Sequence, residues 1–221
     1  MKPPVYKLKK TELVWLNANK CKHGHTYLEH YNCFLKENPN QNRIGFFDIE
    51  VSNLKANVGL LLCYCIKDFG SDEIIEGCIT PKDLRSDRLD EKVVRKCVSD
   101  LSKFDRIVTY YGTGFDIPYI RSKAVHCGID FPCYGEMLHT DLYYIVRNKF
   151  KLTRSSLKVA TQYLLGDTNK TEIDWKTWIR AGLGHQPSLD YVLEHCRMDV
   201  VDTQRLYEKI MGFKKETDLS I

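Results

Sequence analysis

From residue 44 onward, short apolar stretches alternate with polar connections, a pattern that predicts the strands of an α/β domain. The stretch 44–51, Ile-Gly-Phe-Phe-Asp-Ile-Glu-Val, is apolar and aromatic and predicts a buried first strand. Apolar runs at 58–66 and 73–79 predict two more strands, and their short connections favour an antiparallel meander. A fourth strand is predicted at 106–111.

Apolar residues with helical spacing predict helices between and after these strands. Helices are predicted at 90–104, at 152–165 and at 188–211, the last with Ser188 as its N-cap. The segment that contains Asp141 is predicted to be a short strand or the entry to a helix, and Asp141 is predicted to be a cap.

Two carboxylates lie within the predicted first strand. Asp48 and Glu50 are two residues apart, so both side chains point to the same face of a strand. Two buried like charges repel unless a cation or a proton lies between them, and oxygen ligands of this kind suit Mg²⁺ or Mn²⁺. The alternative is a strand end that carries two solvated acids.

Two further acidic positions lie later in the chain. Asp116 follows a two-glycine turn that would let a ligand come close, although a plain helix N-cap is the alternative. Phe115 beside it is a candidate for stacking on a base or for core packing. His195 and Asp199 share one face of the last predicted helix, where an exposed helical pair is the alternative.

The segment 1–43 differs from the rest because it concentrates cysteine and histidine. Five candidate metal ligands fall within thirteen residues: Cys21, His23, His25, His30 and Cys33. Zinc takes four nitrogen or sulfur ligands tetrahedrally, and a segment this short needs such a link to fold. We therefore predict a structural zinc held by four of the five, with His23 and His25 as alternatives. A polar surface loop is the other interpretation.

The composition adds limits on compartment and partners. The net charge of +4 and the pI near 8.5 are compatible with a polyanionic partner. Nine cysteines in a reducing compartment are expected to be packing residues or metal ligands, and Cys63, Cys65 and Cys78 lie in predicted strands. No apolar run approaches the roughly 20 residues of a membrane span, and the start lacks a secretory hydrophobic region. We expect a cytoplasmic protein without a membrane partner.

The three acidic motifs together resemble those of the DEDD 3′–5′ exonuclease superfamily. The motifs are Asp48-x-Glu50, Gly-Thr-Gly-Phe-Asp116-x-Pro and His195-x-x-x-Asp199, in this order. The likeness covers roughly 44–211 and is to the proofreading domains of family B DNA polymerases and to stand-alone exonucleases of phages and microbes. It implies a ribonuclease H-like fold, with a mixed sheet flanked by helices, in a domain at 44–221 that follows the Cys/His segment.

The resemblance also implies roles for the acids. Asp48, Glu50 and Asp199 would bind one divalent cation, Asp48 would bridge to a second, and Asp116 would bind that second ion through water. Two Mg²⁺ or Mn²⁺ ions about 4 Å apart can activate a water and stabilise the leaving oxygen of a phosphodiester. The relatives carry tyrosine where this chain has His195. In this chain, His195 would hold or deprotonate the attacking water.

The expected function is therefore 3′–5′ exonucleolytic hydrolysis of single-stranded nucleic acid ends, with DNA favoured over RNA. Candidate contacts to the nucleic acid are Phe115, Tyr111, which replaces an asparagine of the relatives, and the basic residues Arg154 and Lys158, for which a solvated face is the alternative. The other readings are a structure-selective endonuclease or ribonuclease with the same site, and a zinc-dependent nucleic-acid-binding module. The expected partners are single-stranded DNA or RNA 3′ ends, and the sequence leaves the question of protein partners open.

Overall fold

The computed structural model describes residues 8, 10–38, 43–214 and, for the backbone alone, 219–220. The strands are β1 (Ile44–Val51), β2 (Leu61–Asp68), β3 (Ile74–Cys78), β4 (Arg106–Thr109), β5 (Leu138–Asp141) and β6 (Leu219–Ser220). The helices are α1 (Lys10–Ala18), α2 (Tyr31–Glu37), α3 (Glu91–Leu101), α4 (Asp116–His126), α5 (Leu142–Lys149), α6 (Leu157–Leu164), α7 (Trp175–Gly182) and α8 (Gln186–Ile210). Short 3₁₀ turns cover Asp83–Arg85 and Met211–Phe213.

The described strands form one mixed sheet in the order β3-β2-β1-β4-β5-β6. The first three strands form the predicted antiparallel meander. Strand β4 pairs parallel with β1 and with β5, and β6 closes the far edge antiparallel to β5. The predicted mixed sheet flanked by helices is confirmed.

The alternation of side chains along β1 assigns one helical layer to each face of the sheet. Phe46 points to the face covered by α8, where its ring meets Tyr207 at a centroid distance of 5.3 Å. Tyr64 of β2 points to the other face, where its hydroxyl donates to Asp100 of α3 at 2.5 Å. Asp48 and Glu50 share the face of Phe46, so both acids lie beneath α8.

Two predicted strands have the wrong bounds. The second strand begins at Leu61 and not at residue 58, because Val58 lies in the connecting loop with 69% of its surface exposed. The fourth strand ends at Thr109, because Tyr111 adopts a left-handed backbone with a φ of 70° and turns the chain out of the sheet.

The helix boundaries also differ from the predictions. Helix α6 begins at Leu157, five residues late, with Ser156 Oγ accepting from Val159 N at 3.4 Å as its cap. Helix α8 begins at Gln186, because Pro187 suits the first turn of a helix. The prediction that Ser188 is the N-cap is therefore wrong. Ser188 is buried inside the first turn, and its Oγ lies 2.8 Å from Nδ1 of His185.

Helices α1 and α2 form a small unit with its own apolar cluster. The cluster consists of Leu16, Tyr31, Phe34, Leu35 and, from the first position of β5, Leu138. The N-terminal unit thus contacts the sheet at the start of β5. None of the described helices is long and apolar enough to cross a membrane.

Gly45 tests the tight packing between β1 and its neighbours. A Cβ added there would lie 2.7 Å from Cγ2 of Ile66 and 2.9 Å from Cδ1 of Phe104, both fully buried. We expect Gly45→Ala to lower the free energy of unfolding by about 1–3 kcal/mol, the usual cost of overpacking. Urea unfolding measures it. Gly212→Ala, where an added Cβ meets nothing within 4 Å, is the matched control, and equal stability of the two variants would contradict this view of the core.

Candidate active site

The structure brings the predicted acids of β1 and α8 together. One ligand atom from each of Glu50, His195 and Asp199 lies within 4.8 Å of the others. His195 Nε2 lies 3.6 Å from Glu50 Oε1 and 3.9 Å from Asp199 Oδ2. The interpretation of His195 and Asp199 as an exposed helical pair is wrong, because both are buried between α8 and the sheet.

Asp116 joins the same site from the start of another helix. It is the first residue of α4, and its Oδ1 accepts a hydrogen bond from the backbone N–H of Ile49 at 3.1 Å. Ile49 lies between Asp48 and Glu50, so this bond fixes the Asp116 carboxylate beside both. The N-cap interpretation of Asp116 is wrong, since Phe115 precedes the helix and no side chain caps it.

The gathered acids raise one another's pKa. Burial raises the pKa of Asp48 well above its usual value, and the charges of Glu50, Asp116 and Asp199 raise it further. Burial, and then the charge of Asp199, does the same to Glu50. Burial raises the pKa of Asp116 to about 7, although the Ile49 amide works against the shift. Without a cation, these carboxyl groups therefore hold protons that ordinary carboxyl groups have lost.

Two carboxylate oxygens in this site fit a metal. Asp48 Oδ2 and Asp199 Oδ1 are buried and lack a hydrogen-bond partner among the described residues. A buried oxygen without a partner costs free energy, and a hard divalent cation is the partner that a set of carboxylates suits. The donor set of Asp48, Glu50, Asp116 and Asp199 thus matches Mg²⁺ or Mn²⁺ in chemistry.

A lysine also reaches the acids, from the loop that joins α6 to α7. The Lys170 ammonium contacts Asp199 Oδ2. Burial alone would lower the pKa of Lys170, but the charges of Asp199, Asp48 and Glu50 raise it above its usual value. The lysine is therefore charged and offsets part of the negative charge of the site.

Asp202, one turn after Asp199 on α8, holds that loop in place. It is fully buried and accepts from Thr168 Oγ1 at 2.7 Å, from Asn169 N at 2.8 Å and from Asn169 Nδ2 at 2.8 Å. These bonds fix the residue directly before Lys170. The next residue, Thr171, places its Oγ1 2.6 Å from Nδ1 of His195.

Asp141 holds the two-glycine turn in a similar way. As predicted, it caps a helix, accepting from Tyr143 N at 3.0 Å at the start of α5. It also accepts from Tyr111 N at 2.8 Å and from Thr113 N at 2.9 Å. The turn that leads into Asp116 is therefore tied to the end of β5.

The predicted nucleic-acid contacts fall into two groups. Tyr111 is 46% exposed beside the site and meets the ring of Tyr143 at a centroid distance of 4.8 Å, and Phe115 is half-buried against the core. Arg154 is exposed in the segment before α6. Lys158 forms an ion pair with Glu172, so its charge is already partly offset.

In the N-terminal unit, the structure brings together four of the five predicted ligands. Cys21, His23, His30 and Cys33 place ligand atoms within 4.8 Å of one another. His25 lies outside this group, with its ring tilted by 44° against that of His30 at a centroid distance of 4.2 Å.

Comparison with known proteins identifies the family. Residues 45–211 match the family description of the RNase H superfamily, and this match covers most of the chain. The chain belongs to the RNase H superfamily. A DNA polymerase of Methanocaldococcus jannaschii is 31% identical over 96 residues, covering 35% of this chain and 6% of that protein. The structure of the family B DNA polymerase of Pyrobaculum calidifontis matches with a TM-score of 0.60 at 20% identity, over 77% of this chain and 24% of that one.

These comparisons agree with the expected family B likeness and define its limits. The structural match shows a shared ribonuclease H-like fold, and this RNase H superfamily chain spans only a small part of either polymerase. Membership of the superfamily supports a nuclease that acts on nucleic acid and depends on divalent metal.

Sequence reasoning missed Lys170 and Thr171 as parts of the site. Both lie in an irregular loop about 25 residues before the acid and the histidine that they contact, and no periodic pattern links the two segments. Asp202 shows the same limit, since its buried state depends on that loop folding back over α8.

His139 lies behind the two-glycine turn and predicts a pH dependence of stability. Its Nε2 lies 2.8 Å from Thr109 Oγ1, and burial lowers its pKa to about 4. At His139 the unfolded chain binds a proton near pH 6.5 and the folded chain only near pH 4, so the contribution of this residue to stability is lost as pH falls between these values. We expect a slope approaching about 1.4 kcal/mol per pH unit from this residue.

Urea unfolding of the metal-free protein at a series of pH values measures this slope. His139→Gln keeps a hydrogen-bonding amide but cannot titrate, so the slope of this variant should differ from that of wild type by the contribution of His139, while the contribution of the site carboxyl groups is common to both proteins. The exposed His126 is the matched control, and His126→Gln should leave the slope unchanged. An unchanged slope in His139→Gln would exclude His139 as the titrating group.

Proposed function

We propose that this chain is a metal-dependent 3′–5′ exonuclease that hydrolyses single-stranded DNA ends. The observation that carries the proposal is the convergence of Asp48, Glu50, Asp116 and Asp199, with two buried oxygens that lack a protein partner. A fold does not need four acids in one buried site for its stability, because their mutual repulsion opposes folding. Such a site is understandable if its stabilising partner is a pair of divalent cations.

The metal ligands in this proposal are the four acids. Asp48, Glu50 and Asp199 would hold one Mg²⁺ or Mn²⁺, and Asp48 and Asp116 a second. When bound, such a pair lowers the pKa of an attacking water and stabilises the leaving 3′ oxygen of the phosphodiester.

His195 has the position of a base for the attacking water. The contact with Thr171 Oγ1 fixes the ring, and Nε2 faces the carboxylates of Glu50 and Asp199. Burial lowers the pKa of His195, so the imidazole is neutral at neutral pH. With Nδ1–H donating to Thr171, Nε2 is the free nitrogen that accepts the proton.

Lys170 supplies a positive charge on the same side. Its ammonium contacts Asp199, and the loop that carries it is held by Asp202. We propose that this charge also offsets that of the scissile phosphate when substrate is bound.

The terminal bases would lie along the aromatic residues beside the two-glycine turn. Tyr111 is half exposed there. The ring of Tyr143 lies behind it at a centroid distance of 4.8 Å, and the ring of Tyr144 lies 5.2 Å from that of Tyr143. Bases of any sequence stack on such rings, and Arg154 could contact the backbone phosphates farther out. DNA is favoured as the substrate because the two relatives compared above are each named as a DNA polymerase.

The direct test uses one oligonucleotide sequence as DNA and as RNA, labelled at either end, with Mg²⁺ or Mn²⁺. A 3′–5′ exonuclease releases the 3′ label as a mononucleotide and shortens the 5′-labelled strand stepwise. Internal cuts leave the 3′ label on longer fragments and would replace the proposal with an endonuclease. Degradation of the RNA alone would replace it with a ribonuclease.

Removing one carboxylate charge tests the acids. We expect Asp48→Asn, Glu50→Gln, Asp116→Asn and Asp199→Asn each to lower single-turnover cleavage by at least about 10³-fold, because metal stabilisation of the transition state is worth several kcal/mol. In metal-free protein, Asp48→Asn should melt no lower than wild type, because the neutral amide avoids the cost of ionising a buried carboxyl group beside three others. Calorimetry measures the melting.

Glu208→Gln is the matched control, since Glu208 is an exposed acid on the same helix as Asp199. It should cleave at the wild-type rate. Full activity in any one of the four site variants would remove that residue from the proposed metal site.

The role of His195 predicts a pH profile. His195→Ala should lower the single-turnover rate by about 10²–10⁴-fold, the range of a positioned general base. The base must be neutral, so the wild-type rate should fall as pH drops through the lowered pKa of His195, below pH 6.5. This acid limb should be absent from the profile of His195→Ala.

Thr171→Val keeps the shape of the side chain but removes the hydroxyl that holds the ring, so it should lie between wild type and His195→Ala. His126→Ala, at an exposed histidine on α4, should change neither rate nor profile. A wild-type rate and an unaltered acid limb in folded His195→Ala would show that the histidine only packs against the sheet.

A further inference from the structure

The Cys/His group of the N-terminal unit has the dimensions of a tetrahedral metal site. The sulfur atoms of Cys21 and Cys33 lie 3.3 to 3.8 Å from Nδ1 of His23 and His30. Zinc bonds of about 2.3 Å to sulfur and 2.0–2.1 Å to nitrogen, at the tetrahedral angle, separate these atoms by about 3.5 Å. The four sulfur-to-nitrogen distances therefore match those expected between ligands of one zinc.

The backbone explains why His23 belongs to this group and His25 does not. Gly24 between them has a φ of 84°, a left-handed conformation that turns the chain sharply. The turn is closed by hydrogen bonds from Gly24 N to Cys21 O and from Cys21 N to His25 O, both 2.9 Å long. His23 contacts both thiols as a result, whereas the ring of His25 packs at a tilt against that of His30.

The second half of the site comes from the start of α2. His30 directly precedes the helix, and Cys33 lies in its first turn, with Cys33 N donating to His30 O at 2.8 Å. Helix α1 leads into Cys21 through only two residues. A metal here would join the end of α1 to the start of α2.

The unit needs such a link because its core is small. Helices α1 and α2 have nine and seven residues, and among the residues that the structure describes their apolar cluster has five buried members, one of them Leu138 of the sheet. Helices this short do not persist in water by themselves, and a core of this size supplies little stability.

We propose that Cys21, His23, His30 and Cys33 bind one structural Zn²⁺. Four protein ligands leave no open position for a substrate, as in structural and not catalytic zinc sites. The unit contacts the start of β5, whereas the two-glycine turn of the acid site is tied to Asp141 at its other end. Zinc therefore acts on the folding of the N-terminal unit, and each cysteine loses its thiol proton to the solvent on binding.

The test measures metal content and not cleavage, so its outcome is independent of the proposed nuclease function. The full chain is purified under reducing conditions in zinc-supplied medium, without chelators. Elemental analysis should find about one zinc per chain. After exchange into Co²⁺, the absorption spectrum should show tetrahedral cobalt with thiolate ligands.

Paired variants identify the ligands. His23→Ala and Cys33→Ser should lose the zinc, whereas His25→Ala and Cys133→Ser, at an exposed cysteine outside the group, should keep it. Because a ligand variant can unfold the unit, a thiol reagent is also applied to wild type. Chelation of the zinc should expose two additional reactive thiols and lower the helix content measured by circular dichroism.

Three results would overturn the proposal. The first is full-length protein that contains no zinc after growth with zinc. The second is a disulfide between Cys21 and Cys33 in cells whose free thiols are alkylated before lysis, since these thiols also lie in hydrogen-bonding contact. The third is zinc retained by His23→Ala and lost by His25→Ala, which would show a different ligand set.

Discussion

Repulsion among four carboxylates dominates the centre of this protein. Burial raises the pKa of Asp48 on β1, and the charges of Glu50 on the same strand, Asp116 of α4 and Asp199 of α8 raise it further. Water normally screens such charges, but here the sheet and α8 exclude much of it. The packing of the fold must therefore hold these carboxylates together against their mutual repulsion. A bound pair of cations would relieve this repulsion, and the free energy released would favour metal binding.

Fixed hydrogen bonds hold the surrounding loops where this charge requires them. The Ile49 amide anchors Asp116, and Lys170 approaches Asp199 from a loop that Asp202 binds through three hydrogen bonds. Asp141 does the same for the two-glycine turn. Acids thus have two roles here. Asp141 and Asp202 are satisfied by donors and shape the chain, whereas Asp48 and Asp199 each retain an oxygen without a donor among the described residues.

The same logic separates the two candidate metal centres. The acid site offers hard oxygen ligands at the junction of three secondary-structure elements, each stable through the main core. The Cys/His site offers sulfur and nitrogen from a turn and the start of one short helix. The proposed divalent ions would then take part in catalysis within a domain that is stabilised by its own core. The proposed zinc would instead stabilise the fold of a unit that has little core of its own.

Local pattern was sufficient to predict β1 to β4 and the helices α3, α6 and α8, because burial imposes the alternation in strands and the helical spacing that the sequence displays. It also predicted that Asp48 and Glu50 share a face, since strand geometry alone dictates this. The ends of the elements were less predictable. The left-handed backbone of Tyr111 ended the fourth strand before its predicted end, and a proline allowed the last helix to begin before Ser188. Such ends depend on which backbone groups find partners.

What the sequence determined by itself was the set of chemical groups, namely four acids, a histidine one turn before the last of them, and a cluster of cysteine and histidine. Only the tertiary structure decided which groups meet. It selected His23 over His25 through the backbone turn at Gly24, and it brought Lys170 and Thr171 to α8 through a loop with no periodic pattern. The reason is physical: the partners of a side chain across a fold depend on packing between distant segments, which no local spacing records.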